Sequence, residues 1–218
     1  MSIQKHLSKF YEFLDRPLFW WSRIVLALLA IPLVLAFREP LWRISLHAPQ
    51  YPDGLWMEIY MHKIDGGNNG QHITEINTLN HYIGMHKIDR AELSDLDWIP
   101  FAVGLLVVLV LRCAAIGNVR SLVDLVVLTG YITVFAFGRF IYKMYVFGHN
   151  LDPTAPLKVE PFTPAIFGTK QIANFSTTSM PQLGSILIGV YATGIAVVLV
   201  WHLIAGRAAA MRDEALGP

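Results

Sequence analysis

The chain has 218 residues, of which 54% are hydrophobic and 15% are charged, and its net charge is +1. Soluble domains carry about 25% charged residues, so this composition indicates a membrane protein. The near-neutral charge excludes the broad basic surface that nucleic-acid binding requires. Cys113 is the only cysteine, which excludes an intrachain disulfide, a CxxC redox pair and a thiolate zinc site.

Four apolar segments are long enough to cross the hydrocarbon core of a bilayer, which takes roughly 20 residues. We therefore predict an all-α integral membrane protein with four transmembrane helices and a small α+β cap outside the membrane. The first segment has no small-residue cleavage site after it, so we expect a retained anchor, kinked at Pro32. The predicted spans are 18–37, 98–117, 122–142 and 183–206.

Basic residues flank the short segments of the chain, which predicts that these segments lie in the cytoplasm. Both termini are then inside, and the two long connections face the periplasm if the protein lies in a bacterial inner membrane. The predicted cytoplasmic segments are 1–17, 118–121 and 207–218, and the predicted periplasmic segments are 38–97 and 143–182. The basic residues that set this orientation are Lys5, Lys9, Arg16, Arg23, Arg112, Arg120, Arg207 and Arg212.

The first long connection has the pattern of a small folded cap. The letters YPDG at 51–54 indicate a turn, and LWMEIYMHKI after them alternates like a strand. GGNNG at 66–70 breaks the chain, Gly84 is predicted to end the helix that follows, and an Asp-x-x-Glu pattern at Asp89 predicts another helix start. The residues with helical spacing are Ile73, Ile76, Leu79 or Asn80, and Ile83.

The second long connection contains four prolines, which predict an extended segment with a short helical stretch. Just before it, Arg139 and Lys143 lie at the outer end of the third span. We expect their side chains to snorkel to lipid headgroups, the alternative being that they line a polar mouth beneath the cap. Small residues along the last span predict close helix packing. These are Gly184, Gly189, Ala192, Gly194 and Ala196.

Histidine and methionine residues are concentrated in the two long connections, which hold six of the eight histidines. Imidazole and thioether together form a ligand set for copper, since thioether sulfur is soft enough for Cu(I). His81 and Met85 lie four positions apart and are the predicted copper ligands, with Glu75 or His72 as an additional ligand or an orienting residue. The alternative is that these histidines are structural, because the sequence has no HxxxH or HxH pair.

Other cofactors and enzymatic sites are not expected. His202 is a single histidine near the inner end of the last span, which favours an interfacial residue over a haem ligand, so we expect no haem in this chain. The motifs GxxxxGK[ST], HExxH and GxSxG do not occur. The sequence therefore favours a protein without catalytic activity of its own.

The stretches EINTLNHYIGMHKI and GHNLDPTAPLKVEPFTPAIFGTKQIANF resemble those of uncharacterised bacterial four-helix membrane proteins that accompany copper-dependent respiratory systems, such as nitrous oxide reductase maturation loci. This resemblance implies an accessory role at the outer membrane face and favours copper over other metals.

We therefore expect a membrane accessory protein whose cap binds or relays copper, or docks a copper-handling partner. One alternative is a structural subunit of a membrane oxidoreductase complex, and another is a small transporter or membrane enzyme. The expected partners are membrane lipid and proteins of a membrane complex, without nucleic acid.

Overall fold

The structure is a computed structural model that describes residues 11–172, 175–206 and 208. The chain forms two compact units. The first unit holds the chain up to residue 34, residues 103–132 and the chain from residue 188; the second holds residues 35–102 and 133–187. Four of the basic residues that set the predicted orientation, Lys5, Lys9, Arg207 and Arg212, lie outside the described residues.

The first apolar segment forms two short helices, α1 (Trp20–Leu28) and α2 (Ala30–Ala36), instead of one continuous helix. The helix is interrupted at Leu29 because Pro32 has no N–H to donate to the Leu28 carbonyl, and its ring crowds that oxygen. At 1.5 Å per residue, α1 and α2 together extend about 26 Å, close to the lower limit for a span. That this segment is a fourth span stays a prediction.

The first long connection forms three strands and a helix: β1 (Trp42–Ala48), β2 (Tyr51–Ile59), β3 (Ile64–Gly66) and α3 (Gln71–Tyr82). The predicted helix is confirmed, and Gly84, with a φ of 78°, follows its end. The predicted turn at YPDG is wrong, because these residues begin β2 and the turn lies at Pro49 and Gln50. Gly54 has a φ of 73° and packs under the His47 ring, so its conformational freedom produces an irregularity inside a strand.

Two long helices follow, α4 (Asp95–Ile116) and α5 (Val119–His149). The Glu92 N–H donates to Asp89 Oδ1 at 2.9 Å, which is the capping hydrogen bond expected at a helix start. Residues 89–92 nevertheless form only a turn, and the helix begins at Asp95. The 31 residues of α5 extend roughly 46 Å, longer than a hydrocarbon core of about 30 Å. The third predicted span therefore continues as helix beyond residue 142.

The second long connection contains a β-hairpin, β4 (Gly168–Ile172) and β5 (Phe175–Pro181), where a short helical stretch was predicted. The strand pairing is supported by a contact between the hydroxyls of Thr169 and Thr178 at 2.8 Å across the hairpin. The five strands form one antiparallel sheet in the order β3-β2-β1-β5-β4. Residues from both long connections therefore build a single sheet, with β1 at its centre.

The last helix is α6 (Leu183–Trp201), which continues as a π-helical turn to Gly206. Among the described residues, three helices are long and apolar enough to cross a membrane: α4, α5 and α6 with its continuation. Large apolar side chains on them are exposed, including Phe101 at 80% and Val134 at 75%. Water would penalise such surfaces and lipid would not, so the length and surface of these helices suit a membrane.

The small residues of α6 differ in what surrounds them. A Cβ at Gly194 would lie 2.6 Å from the Leu29 side chain, whereas nothing lies within 4 Å of one at Gly189. Close packing is therefore confirmed at Gly194 and not at Gly189. His202, just beyond α6, is buried in this unit: it is 2% exposed, its Nε2 lies 3.0 Å from Ser22 Oγ, and its ring stacks on Phe19. That it lies at the membrane interface stays a prediction.

Gly148 near the end of α5 offers a test of the second unit. A Cβ there would overlap the Phe162 carbonyl oxygen, and the Phe162 N–H also donates to the Gly148 carbonyl at 3.0 Å. We expect Gly148→Ala to destabilise the protein by about 2 kcal/mol, which corresponds to a melting temperature lower by roughly 4–8 °C in detergent.

Gly138→Ala is the matched control, because Gly138 lies in the same helix with nothing within 4 Å of the added Cβ. It should melt at or above the temperature of the wild type, since alanine is the better helix former. Equal melting temperatures for the two variants would contradict the close contact between residues 148 and 162.

Candidate functional site

One face of the sheet forms a wall of a large, partly open cavity. Side chains alternate between the two faces of a strand, so residues two positions apart in the sequence point to the same side. Among the strand residues that line the cavity, Thr177 has the one polar side chain. The wall residues are Ile44, Leu46 and Ala48 from β1, Met57 and Ile59 from β2, and Phe175 and Thr177 from β5.

The remaining walls come from three helices and an extended segment of the second connection. The cavity has a volume of about 680 Å³ and lies entirely among residues of the second unit. This volume falls within the range of about 300–1,000 Å³ that is typical of small-molecule sites. The helical lining includes Ile76, Leu79, Asn80 and Ile83 from α3, Ile99 from α4, and Ala136, Phe140 and Met144 from α5; the segment contributes Leu157, Val159 and Phe162.

The charged groups at the cavity wall have partners within the protein. Arg139 binds the Asp95 carboxylate through two hydrogen bonds of 2.9 and 3.2 Å, in the fork geometry that favours arginine. Lys143 donates to the Glu92 carbonyl oxygen at 2.6 Å. Both basic side chains therefore have partners within the protein, and Lys143 also lines the cavity. Snorkelling of these side chains to lipid headgroups stays a prediction.

Asn80 differs from these groups because its amide nitrogen has no partner. The residue is 5% exposed and lies at the cavity wall. Within the part of the chain that the structure describes, its Nδ2 is the one buried side-chain nitrogen or oxygen without a hydrogen-bond partner. Buried polar groups are otherwise almost always satisfied in folded proteins. Asn80 therefore lies at the cavity wall while its amide nitrogen is shielded from the cavity by protein atoms.

The end of α3 is fixed by hydrogen bonds to both flanking segments. The Asp152 N–H donates to the Gly84 carbonyl at 2.8 Å, and the Leu157 N–H donates to the Tyr82 carbonyl at 2.9 Å. Asn77 holds Ile88 with its side-chain amide, donating to the carbonyl at 2.9 Å and accepting from the N–H at 2.7 Å. These bonds satisfy terminal carbonyls of the helix and fix the position of Asn80.

The four predicted copper ligands lie in different surroundings. Glu75 accepts a hydrogen bond of 2.6 Å from the Tyr51 hydroxyl, which raises the pKa of Tyr51. His72 accepts from the Trp56 N–H through Nδ1 at 3.3 Å and packs edge-on against the Trp56 ring. His81 is exposed on α3, and Met85 lies at the cavity wall. No hydrogen bond or ion pair joins any two of these four described residues.

Met85 also lines a second, smaller crevice, together with His86 and His149. The His149 ring stacks on Tyr145, and its Nδ1 lies 2.9 Å from the Tyr145 carbonyl. A proton on Nδ1 would leave Nε2 with a free lone pair, which is the form that binds metals. Among the described residues, no group of three or more His, Cys, Asp or Glu could hold a metal ion.

No protein-family model, curated protein or solved structure matches this chain. The site is therefore assigned from its own residues. Sequence reasoning placed Asn80 on the apolar stripe of α3 as an alternative to Leu79 but gave it no role. The usable signal was a polar residue at a core position of an amphipathic helix, four residues after Ile76 and three before Ile83.

Proposed function

We propose that this membrane protein binds an apolar small molecule from the bilayer in the cavity of its second unit. The observation that carries the proposal is the cavity itself, of about 680 Å³, with a lining that is apolar on nearly every side. Protein interiors are close-packed and seldom contain voids larger than a water molecule. A cavity of this size with few polar groups suits a hydrophobic ligand better than it suits water.

The source of the ligand follows from the elements that form the walls. Ile99, Ala136 and Phe140 line the cavity and also belong to predicted transmembrane segments. A molecule dissolved in the bilayer would therefore meet residues of the same helices that form the site. The distribution of basic residues supports a periplasmic position for the sheet, because the short connections that carry arginine remain in the cytoplasm.

Photolabelling tests this proposal. The wild-type protein in nanodiscs is exposed to a hexadecane carrying a diazirine group, irradiated, and its labelled residues are mapped by mass spectrometry. We expect label on α3, at Ile76 or Leu79, although this helix lies outside the predicted spans. Label confined to the exposed faces of α4, α5 and α6 would contradict the proposal.

Two variants on α5 test whether the label on α3 depends on the space in the cavity. Ala136→Phe places a ring at the cavity wall and should reduce the label on α3 at least fivefold. Val134→Phe adds a ring to the same helix at a position that is 75% exposed, and it should leave the label on α3 unchanged. Melting temperatures of both variants confirm that they remain folded.

Copper binding is a second candidate function, and it is favoured by the crevice that brings Met85, His86 and His149 together. A thioether and two imidazoles suit Cu(I). The residues come from the two stretches of the chain that carry the resemblance to proteins of copper-dependent systems. The ligands proposed here differ from those predicted from the sequence: Met85 belongs to both sets, whereas His86 and His149 replace His81.

Copper competition with a chromogenic Cu(I) chelator tests this candidate. His149→Ala should reduce the Cu(I) retained by the full-length protein at least tenfold, because it removes an imidazole whose orientation is already fixed. His47→Ala serves as the control, since His47 lies against Gly54 on β2. If His81→Ala reduces the retained Cu(I) more than His149→Ala does, the ligands are those predicted from the sequence. If the folded wild type retains no Cu(I), both sets of ligands are excluded.

A further inference from the structure

In the described part of the chain, two charged residues line the cavity, Asp95 and Lys143, and they differ in how completely they are paired. The Asp95 carboxylate accepts two hydrogen bonds from Arg139 and one of 3.0 Å from the Trp98 indole. Lys143 donates a single hydrogen bond, of 2.6 Å, to the Glu92 carbonyl oxygen. A lysine ammonium has three N–H donors, so two of them have no hydrogen-bond partner among the described residues.

The ion pair between Lys143 and Glu92 is weak. Glu92 Oε2 lies 3.8 Å from Lys143 Nζ, beyond the distance of a hydrogen bond, and the Glu92 side chain is 45% exposed. Solvent screens such a pair, so it contributes little. The Lys143 side chain is only 18% exposed, and a cation that has lost most of its water is stabilised by an anion in direct contact. Lys143 therefore retains the capacity to bind an anion.

The other polar side chains of the cavity wall do not select a charge. The amide nitrogen of Asn80 is shielded by protein atoms. The Thr177 hydroxyl either donates or accepts, and Gln50 and Tyr82 are neutral as well. Since Asp95 is occupied, Lys143 is the residue of the described wall that distinguishes an anion from a neutral group.

The position of Lys143 suits the polar end of a lipid-like molecule. The third predicted span ends at residue 142, so Lys143 is the first residue beyond it, where hydrocarbon gives way to head groups. The flanking wall residues Phe140 and Met144 are apolar. Lysine carries its ammonium on a flexible four-carbon stem, so Nζ can turn towards a group at the edge of the cavity.

We infer that the ligand is an anionic amphiphile, a hydrocarbon chain that ends in a carboxylate or phosphate whose oxygens accept hydrogen bonds from Lys143 Nζ. This inference rests on the proposed function, since it assigns the polar end of the molecule held in the same cavity. The chain of the ligand contacts apolar walls such as Leu46 and Phe140. The carboxylate of a fatty acid and the phosphate of a lipid head group share this chemistry.

Competition against the diazirine label on α3 tests the inference. Palmitic acid, hexadecyl phosphate, hexadecanol and hexadecane are added separately, at equal mole fractions, to nanodiscs of phosphatidylcholine at a pH that ionises both acids. At least one anion should compete about tenfold better than hexadecanol, because hydrogen bonds between ionised groups are stronger than those of a neutral hydroxyl. Competition by palmitic acid alone identifies a fatty acid, and competition by hexadecyl phosphate alone identifies a lipid phosphate.

The Lys143→Met variant decides the role of the ammonium. It should remove the advantage of the anions and leave hexadecane as effective as in the wild type, because the apolar stem is kept. Lys170→Met is the matched control: Lys170 Nζ also donates to a backbone carbonyl, that of Thr163 at 2.7 Å, but Lys170 is not a residue of the cavity wall. This control should retain the advantage.

Three outcomes overturn the inference and leave the proposed function intact. The first is an advantage of the anions that persists in Lys143→Met, the second is a wild type that lacks this advantage, and the third is an equal loss in Lys170→Met. If α3 of the wild type takes up no label, the proposed function itself has failed.

Glu92→Gln provides a readout that keeps Lys143 in place. It retains the backbone carbonyl that accepts from Lys143 and removes the carboxylate 3.8 Å away, which competes with a ligand anion for the same ammonium. The exposed side chain makes this change compatible with folding, which a melting curve checks. The advantage of the anions over hexadecanol should increase about twofold. An unchanged or smaller advantage in the folded variant would show that Lys143 does not hold the anion.

Discussion

The pairing of β1 with β5 is the interaction on which the second unit depends. Residues 42–47 of the first long connection pair in antiparallel register with residues 176–181 of the second. These strands are more than a hundred residues apart in sequence, and two long helices lie between them. Without this pairing the first connection would be a three-stranded sheet with one helix, and β4 and β5 would have no sheet to join. The Trp42 indole strengthens the junction by donating to Ser179 Oγ at 2.7 Å.

The cavity follows from how this sheet is covered. One hydrophobic cluster of the second unit has Leu46, Leu55, Met57 and Ile76 as its buried members, and it packs α3 onto the sheet. Leu46, Met57 and Ile76 also line the cavity, so the space begins where α4, α5 and the extended segment cover the same face less closely. Such a space is unfavourable in an apolar interior, because lining atoms lose dispersion contacts that a ligand would restore. The structure and the proposed function are therefore consistent.

Local sequence patterns predicted the elements that depend on local interactions. The three long helices and α3 were found from apolar length and periodicity, and the break near Pro32 follows from a missing N–H. The hairpin of the second connection was missed because its outer positions carry Thr and Ser, and its pairing with β1 is non-local. Gly54 indicated a turn, although its conformation belongs to an irregular strand.

The candidate site was less accessible from the sequence. Histidine and methionine content drew attention to His81 and Met85, whose contacts depend on how the second connection folds back onto α3. Met85, His86 and His149 share a crevice only because the segment around Asp152 binds Gly84. Asn80 was recognisable as a polar residue on an apolar stripe, but its missing partner became evident only with the full set of hydrogen bonds.

A crystal structure of the protein grown with palmitic acid brominated on its terminal carbon would test the central claim most directly. We predict anomalous bromine density among the apolar side chains of the cavity. A cavity filled by ordered water, or a bromine bound only on the outer faces of the helices, would contradict the proposed function.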